Sequence, residues 1–247
     1  MKQTLQLGLQ EEQYKAVLAQ YHFRETDLER LRDLGGRLLY AAEPVLYYAP
    51  CRVLGKSALE GAGAETEGME AASAEAGLAT EAPESAVMEL EPVPEEQVQA
   101  GITLAVAVSL GENIDILQNE YISRECLTEA YMIECIGMEL LKNAYELAAE
   151  KIRDQYGLWT GGFEFLGERY PLEMTGAVLG LLAPDAITYN AAYMLMPKKT
   201  VVFMTTLQEE RRNGYCHVCD TCSNLRCPNR INAVHLNYGY QRIFGKL

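Results

Sequence analysis

The sequence predicts a mixed α/β domain, and three stretches carry that expectation. Ile102-Thr-Leu-Ala-Val-Ala-Val108 is a short apolar run, rich in β-branched residues, of the length of a buried strand. Leu127, Tyr131, Cys135, Met138, Leu141, Tyr145, Ala148 and Ile152 then step by three or four, which is the spacing of one long amphipathic helix. It is expected from about Arg124 to Tyr156, with Gly157 as its stop. Residues 186–195 and 200–207 are strand-like runs joined by Met196-Pro-Lys-Lys199, which reads as an antiparallel hairpin.

The other elements follow in chain order. Tyr14, Val17, Leu18 and Tyr21 give residues 11–20 a helical face, and residues 26–34 repeat it before Gly35-Gly36 stops the helix. Pro44-Val-Leu-Tyr-Tyr-Ala-Pro50-Cys-Arg-Val53 has the aromatic and β-branched character of a strand, and Pro50 argues for an edge position. Ser109-Leu-Gly-Glu112 has the spacing of a capping box for a helix through Ile114, Leu117 and Tyr121. After the Gly-rich stretch Trp159-Thr-Gly-Gly-Phe163, Pro171 opens a helix that runs to Leu182. No internal repeat is present.

Charge separates one segment from the rest. The chain of 247 residues carries a formal charge of −14, and from Ser57 to Ala100 there is no Lys or Arg but eleven Glu. Residues 58–82 are almost entirely Ala, Gly, Glu, Ser and Thr, too polar to offset the entropy of ordering them. Residues 55–100 therefore read as a solvated acidic low-complexity insertion, with an acidic docking segment as the alternative. The acidic balance excludes a general nucleic-acid binder, since neutralising phosphates takes clustered Lys and Arg. No apolar run reaches the roughly 20 residues that cross a bilayer, and no signal-peptide core is visible, so a soluble cytoplasmic protein is expected.

Seven cysteines are present. Cys51, Cys126 and Cys135 lie in apolar surroundings and read as small packed hydrophobes. The other four form Cys216-His-Val-Cys219-Asp-Thr-Cys222-Ser-Asn-Leu-Arg-Cys227-Pro228, spaced C-x2-C-x2-C-x4-C-P. Such spacing lets a tight loop turn several thiolates toward one centre, and metal binding supplies folding energy that this polar stretch lacks. Bacterial ferredoxin runs are one residue shorter, so an iron–sulfur cluster held by Cys216, Cys219, Cys222 and Cys227 is the first expectation. Structural zinc is the alternative, and a redox dithiol or unliganded thiols stay open. His217 is a further candidate ligand, and Arg226 and Arg230 would offset the thiolate charge. The P-loop, G-x-S-x-G and H-E-x-x-H patterns are absent, and three histidines make a histidine-centred hydrolase a poor fit.

The order of motifs resembles a known family. A strand, Ser109-Leu-Gly111-x-x-x-Asp115, a long helix, Pro171-Leu-Glu173, Met194-Leu-Met-Pro197-Lys-Lys-Thr-Val201 and a late Cys cluster look like the activation domain of vitamin B12-dependent methionine synthase. The short stand-alone members are the nearer match. Their ending, C-x-x-C-x-x-x-x-C-x-x-R, corresponds to Cys219, Cys222, Cys227 and Arg230. The resemblance covers residues 8–54 and 101–231. It divides the chain into an N-terminal helical and strand part (1–54), the insertion (55–100), an activation-domain-like core (101–210) and a Cys-cluster segment (211–247).

What the resemblance implies is an α/β fold in which a twisted antiparallel sheet is flanked by long helices. It also implies a concave face that binds S-adenosylmethionine and meets a cobalamin domain. The activity implied is support of reductive methylation of cobalamin in a methionine synthase (methyltransferase) system. The chain lacks a D-x-H-x-x-G cobalamin pattern, so cobalamin would come on a separate binding or methyltransferase partner. Asp115 and Glu146 fall on or near the family's ligand-facing acids. The family's ligand loop has an Arg and then Pro-Gly-Tyr before Pro-Leu-Glu. Here it reads Gly162-Phe-Glu-Phe-Leu-Gly167-Glu-Arg169-Tyr170, so Arg169 and Tyr170 could serve only in a shifted register. The family's Thr-Glu-Ser is Asn190-Ala191-Ala192. A guanidinium and a carboxylate that would pair with a zwitterionic ligand are thereby lost. Two alternatives stand beside this reading: a degenerate corrinoid-protein-binding module without S-adenosylmethionine, and a zinc-stabilised structural protein.

Overall fold

The computed structural model describes residues 1–54, 88–167 and 169–210. Strands β1 (Lys2–Thr4), β2 (Val45–Leu54), β3 (Glu89–Pro92), β4 (Thr103–Ser109), β5 (Trp159–Thr160), β6 (Glu164–Phe165) and β9 (Thr200–Gln208) form one antiparallel sheet. Its path is β1-β2-β4-β9-β5, with β3 also on β2 and β6 also on β9. Helices α1 (Glu11–Gln20), α2 (Leu28–Ala41), α3 (Asn113–Ser123) and α4 (Leu127–Tyr156) precede β5, and α5 (Thr175–Leu182) follows β6. Strands β7 (Thr188–Tyr189) and β8 (Leu195–Met196) pair only with each other. The fold is thus the expected one, an antiparallel sheet with helices packed on it.

Period-2 alternation in the three central strands buries both faces. Leu46, Tyr48, Leu104, Val106, Val108 and Phe203 meet the layer built from α1, α2 and α4. Tyr47, Cys51, Ala105, Ala107, Val202 and Met204 meet α5 through Met174, Val178 and Leu182. Small residues of β4 face α5, the shorter helix, while its branched residues face the larger helical layer. Cys51 and Cys135 are fully buried, as small apolar side chains.

Several elements depart from the expectation, each for a visible reason. Gly35-Gly36 does not stop α2, which continues to Ala41. A Cβ on Gly35 would lie 2.4 Å from the Tyr14 hydroxyl, so this glycine lets α1 and α2 approach closely. Pro50 is not on an edge, since β2 pairs with β4 on one side and with β1 and β3 on the other. The registers of β1 and β3 leave residues 48–50 between them, and the Tyr48 amide there turns to Met1 while the Pro50 carbonyl accepts from Val93. The missing proline donor therefore faces the seam between two short strands, where no ladder bond is lost.

The Ser109–Glu112 capping box does not form. Ser109 Oγ is shared between Thr200 Oγ1, at 2.8 Å, and the Gly111 amide. The long helix starts at Leu127 because Arg124 caps the end of α3. Its other end is as expected, with Gly157 in the left-handed region at φ 69°. The predicted hairpin splits, because residues 188–196 fold back on themselves as β7 and β8 instead of pairing with β9. Residues 88–100, which composition joins to the acidic insertion, carry β3 and the buried side chains Met88 and Val93. Sequence periodicity also misses β1, which is only three residues long.

Two packing predictions follow from these contacts. Thr205 is fully buried opposite Leu104, and its hydroxyl has no hydrogen-bond partner among the described residues. Thr205→Val keeps the branched shape and removes that orphan, so denaturant unfolding should show a gain of about 1 kcal/mol. Gly36 is exposed, with open space around its added Cβ, so Gly36→Ala should stabilise by about 0.5–1 kcal/mol. Gly35→Ala should instead cost about 1 kcal/mol through the Tyr14 clash.

Candidate functional site

Two places border the N-terminal end of β9, and one of them holds Asp115, a residue singled out by sequence. The first is a junction of α3, α4 and the β8–β9 turn. Asp115, in the first turn of α3, accepts a hydrogen bond from the Lys198 amide at 2.8 Å. An acid suits that position because it also faces the free amides of the helix start. The next residue, Lys199, is only 5% exposed. Its stem crosses α4 at Gly137, where a Cβ would lie 2.9 Å from Cε, and its Nζ reaches Glu134 Oε1 at 2.6 Å. Gln118 of α3 donates to the other Glu134 oxygen at 3.1 Å. Burial pushes the Glu134 carboxyl up, but the Lys199 ammonium outweighs it and holds the group below the usual carboxylate range.

The second place is a cleft of about 180 Å³ on the outer side of β9. Its walls are Phe165 and Leu166 from β6 and the residue after it, Leu172 and Thr175 at the start of α5, and Tyr193 and Leu195 of the β7–β8 hairpin. Residues 200–202 of β9 form the floor. No charged side chain lines it. Met194 and Met196, which flank Leu195 in the chain, are 65% and 47% exposed. Tyr189 and Tyr193 stack at 6.1 Å between centroids and stiffen the hairpin.

The four expected ligand-facing residues are not gathered in one pocket. Asp115 belongs to the junction. Glu146 lies on α4, twelve residues beyond Glu134 and so about 18 Å further along the helix. It has no hydrogen-bond or ion-pair partner among the described residues, and it is half-buried. Burial first, then the nearby Glu150 and Glu139 carboxylates, push its carboxyl up to about 7. Arg169 donates to Glu164 at 2.7 Å. Tyr170 is 8% exposed and packs in the layer between the sheet and α5, where burial pushes its phenol up to about 12. Cys216, Cys219, Cys222 and Cys227 lie outside the described residues. Among the described residues no group of three or more metal-ligating side chains comes together. No helix of the described chain is long and apolar enough to cross a membrane.

Sequence reasoning missed the cleft itself. Its walls are ordinary apolar residues from four separate segments, and spacing gives no signal for them. The Ser109–Asp115, Pro171-Leu-Glu173 and Met194–Val201 motifs meet at this end of the sheet, but none of them marks a pocket.

No family model and no curated protein matches the chain significantly. Among solved structures it is similar to one described as the MetH reactivation domain bound to AdoHcy. The identity is 12%, the TM-score 0.45, and the match spans 87% of this chain and 80% of that one.

The Glu146 environment makes a pH prediction. Its folded carboxyl is raised from 4.5 to about 7, so the fold favours the protonated form. The penalty is absent below the unfolded value, grows as pH rises, and is complete above about 7. Glu146→Gln should therefore stabilise the protein by about 1–3 kcal/mol at pH 8 and leave stability at pH 4 unchanged, read by urea unfolding at the two pH values.

Proposed function

We propose that this chain is an accessory protein of a cobalamin-dependent methionine synthase system, acting on a corrinoid carried by a separate partner. The observation that carries the reading is the contact between Asp115 and the Lys198 amide. Two motifs behind the family resemblance, the Leu110-Gly111-x-x-x-Asp115 turn and the Met194–Val201 segment, are far apart in sequence. They meet in space beside an open apolar cleft. In this reading the junction holds the β8–β9 turn, and the cleft walls exclude water from an apolar or adenosyl group. S-adenosylmethionine would supply the methyl group in such a system. By spacing alone, Cys216, Cys219, Cys222 and Cys227 would offer a soft thiolate donor set suited to an iron–sulfur cluster or zinc. An iron–sulfur cluster would supply one-electron chemistry there.

A second reading, a corrinoid-protein-binding module that takes no S-adenosylmethionine, is favoured by a separate observation. The cleft carries no charge to pair with an amino-acid zwitterion, and the Arg169 guanidinium is engaged with Glu164.

Anaerobic affinity purification of the full-length chain from its own cells tests the shared part. Corrinoid absorbance is expected to co-elute with a partner protein; its absence from repeated preparations would reject both readings. Calorimetry then separates them: saturable micromolar binding of S-adenosylmethionine supports the first, and no heat supports the second. Metal analysis of the same protein should give iron with sulfide, or zinc, and Cys219→Ser with Cys227→Ser should abolish it.

A further inference from the structure

The β7–β8 hairpin is tied within itself and at its ends, and hardly at all in between. Its tip is gathered by Asn190. The side-chain oxygen of that residue accepts from the Ala192 amide at 2.9 Å and the Met194 amide at 3.0 Å, and its carbonyl accepts from Tyr193. With the Tyr189–Tyr193 stack added, the tip and both arms form one stiff unit. The ends are anchored. Ile187 and Pro197 are buried. Before Ile187, Asp185 holds Lys2 at 2.6 Å and the Tyr47 hydroxyl; after Pro197, the Lys198 amide and the Lys199 ammonium are held by Asp115 and Glu134. Between those anchors only Tyr193 and Leu195 are half-buried, and every other residue of 188–196 is exposed.

Tyr193 and Leu195 are also the hairpin's share of the cleft wall. One more contact sets the hairpin against α5. A Cβ on Gly176 would lie 2.7 Å from the Tyr189 hydroxyl and 3.6 Å from the ring carbon that bears it. The bare glycine is therefore the seat on which the phenol rests. A segment with so few buried contacts opens at low cost compared with the sheet beneath it. Size points the same way. At about 180 Å³ the cleft has room for a single ring or side chain, well below the roughly 300–1,000 Å³ of pockets that enclose a drug-sized ligand.

We propose that residues 188–196 are a flap over the cleft, hinged beside Ile187 and Pro197 and latched by Tyr189 on Gly176. With the latch seated, the cleft admits one ring-sized apolar group. With it released, Tyr193 and Leu195 swing away together, and the cleft opens to a larger ligand over which the flap recloses. Such hinge motion leaves the tip intact and puts the backbone change into a few residues at the ends. This proposal stands apart from the corrinoid reading, and each can fail without the other.

Pulsed electron-spin distance measurements on the full-length protein test it. Nitroxides are carried on p-acetylphenylalanine, which spares the native cysteines, at Ala192 on the tip and Gly36 on α2. Gly36 is exposed, with open space around an added Cβ, and lies in the helical layer on the opposite face of the sheet. Two distances are expected in wild type, one for the seated and one for the released flap. Gly176→Ala crowds the hydroxyl off its seat and should raise the released fraction about fivefold. Adding Tyr189→Phe removes the crowded oxygen, leaves the next atom at ordinary contact distance, and should restore the wild-type ratio. Tyr189→Ala unseats the flap without touching α5 and should act like Gly176→Ala, so the test does not hang on one variant. The Gly36–Asn119 distance, between two helices, should be the same in every protein. A single Ala192 distance shared by all four proteins overturns the proposal. So do two distances whose ratio ignores both single variants, or a Gly176→Ala change that Tyr189→Phe fails to reverse.

Discussion

The register between β4 and β9 is the constraint on which the molecule depends. At one end it is pinned by the buried hydroxyl pair of Ser109 and Thr200, and at the other by the Gly101 amide on the Leu207 carbonyl. Between these pins, odd residues of β9 face α4 and even residues face α5. A slip of one residue would send Phe203 to the α5 side and Val202 to the α4 side, exchanging two cores of different size. It would also carry Lys199 away from Glu134. The hydroxyl pair is thus worth more as a register mark than as one hydrogen bond, which alone contributes only about 1 kcal/mol.

The same register accounts for a buried lysine. Lys199 is the residue just before β9 and continues its odd-numbered row, so it points at α4 where the helix surface is interrupted by Gly137. The stem is covered by the helix, while the ammonium meets a carboxylate that stays 40% exposed. That keeps the desolvation cost of the pair below that of a fully interior one. Farther along α4, Glu139 is 7% exposed and bonded to Lys142, a local pairing one turn away. Glu146 has no cation partner among the described residues, and burial, with Glu150 and Glu139 nearby, pushes its carboxyl up. One helix therefore shows three ways of burying an acid: a distant lysine, a local lysine, and a proton.

Much of the fold was legible because periodicity and length are strong signals for α1, α4 and β4. What escaped was decided by partners distant in sequence. Nothing local tells Gly35 that a tyrosine ring lies over it, or tells Ser109 that Thr200 will claim the hydroxyl that a helix start would otherwise use. Pro50 read as an edge residue because a lost donor is costly in a central strand; the chain meets that rule by leaving a gap between β1 and β3 beside it. For the candidate site, the motifs located the end of the sheet but not the pocket. Arg169 and Tyr170 show why. One is held by Glu164 and the other sinks into the α5 layer, and both outcomes follow from packing rather than spacing.

The two ends of the sheet are unequal. Cys51, Thr103 and Thr206 lie level across β2, β4 and β9, and just beyond them Leu54 pairs with Glu89. Residues 55–87 thus form a connection whose ends are already cross-strand neighbours. Closing it costs an entropy that grows only with the logarithm of its length, about 0.6 kcal/mol per doubling. A polar acidic stretch can be long there without disturbing the domain. At the opposite end, where β9 begins, no such freedom exists, since Asp115, Lys199 and Glu134 tie the turn to two helices within a few residues of the cleft. A long connection is tolerated at one end of the sheet, and fixed geometry is kept at the other, beside the cleft. A binding surface needs the second kind of place.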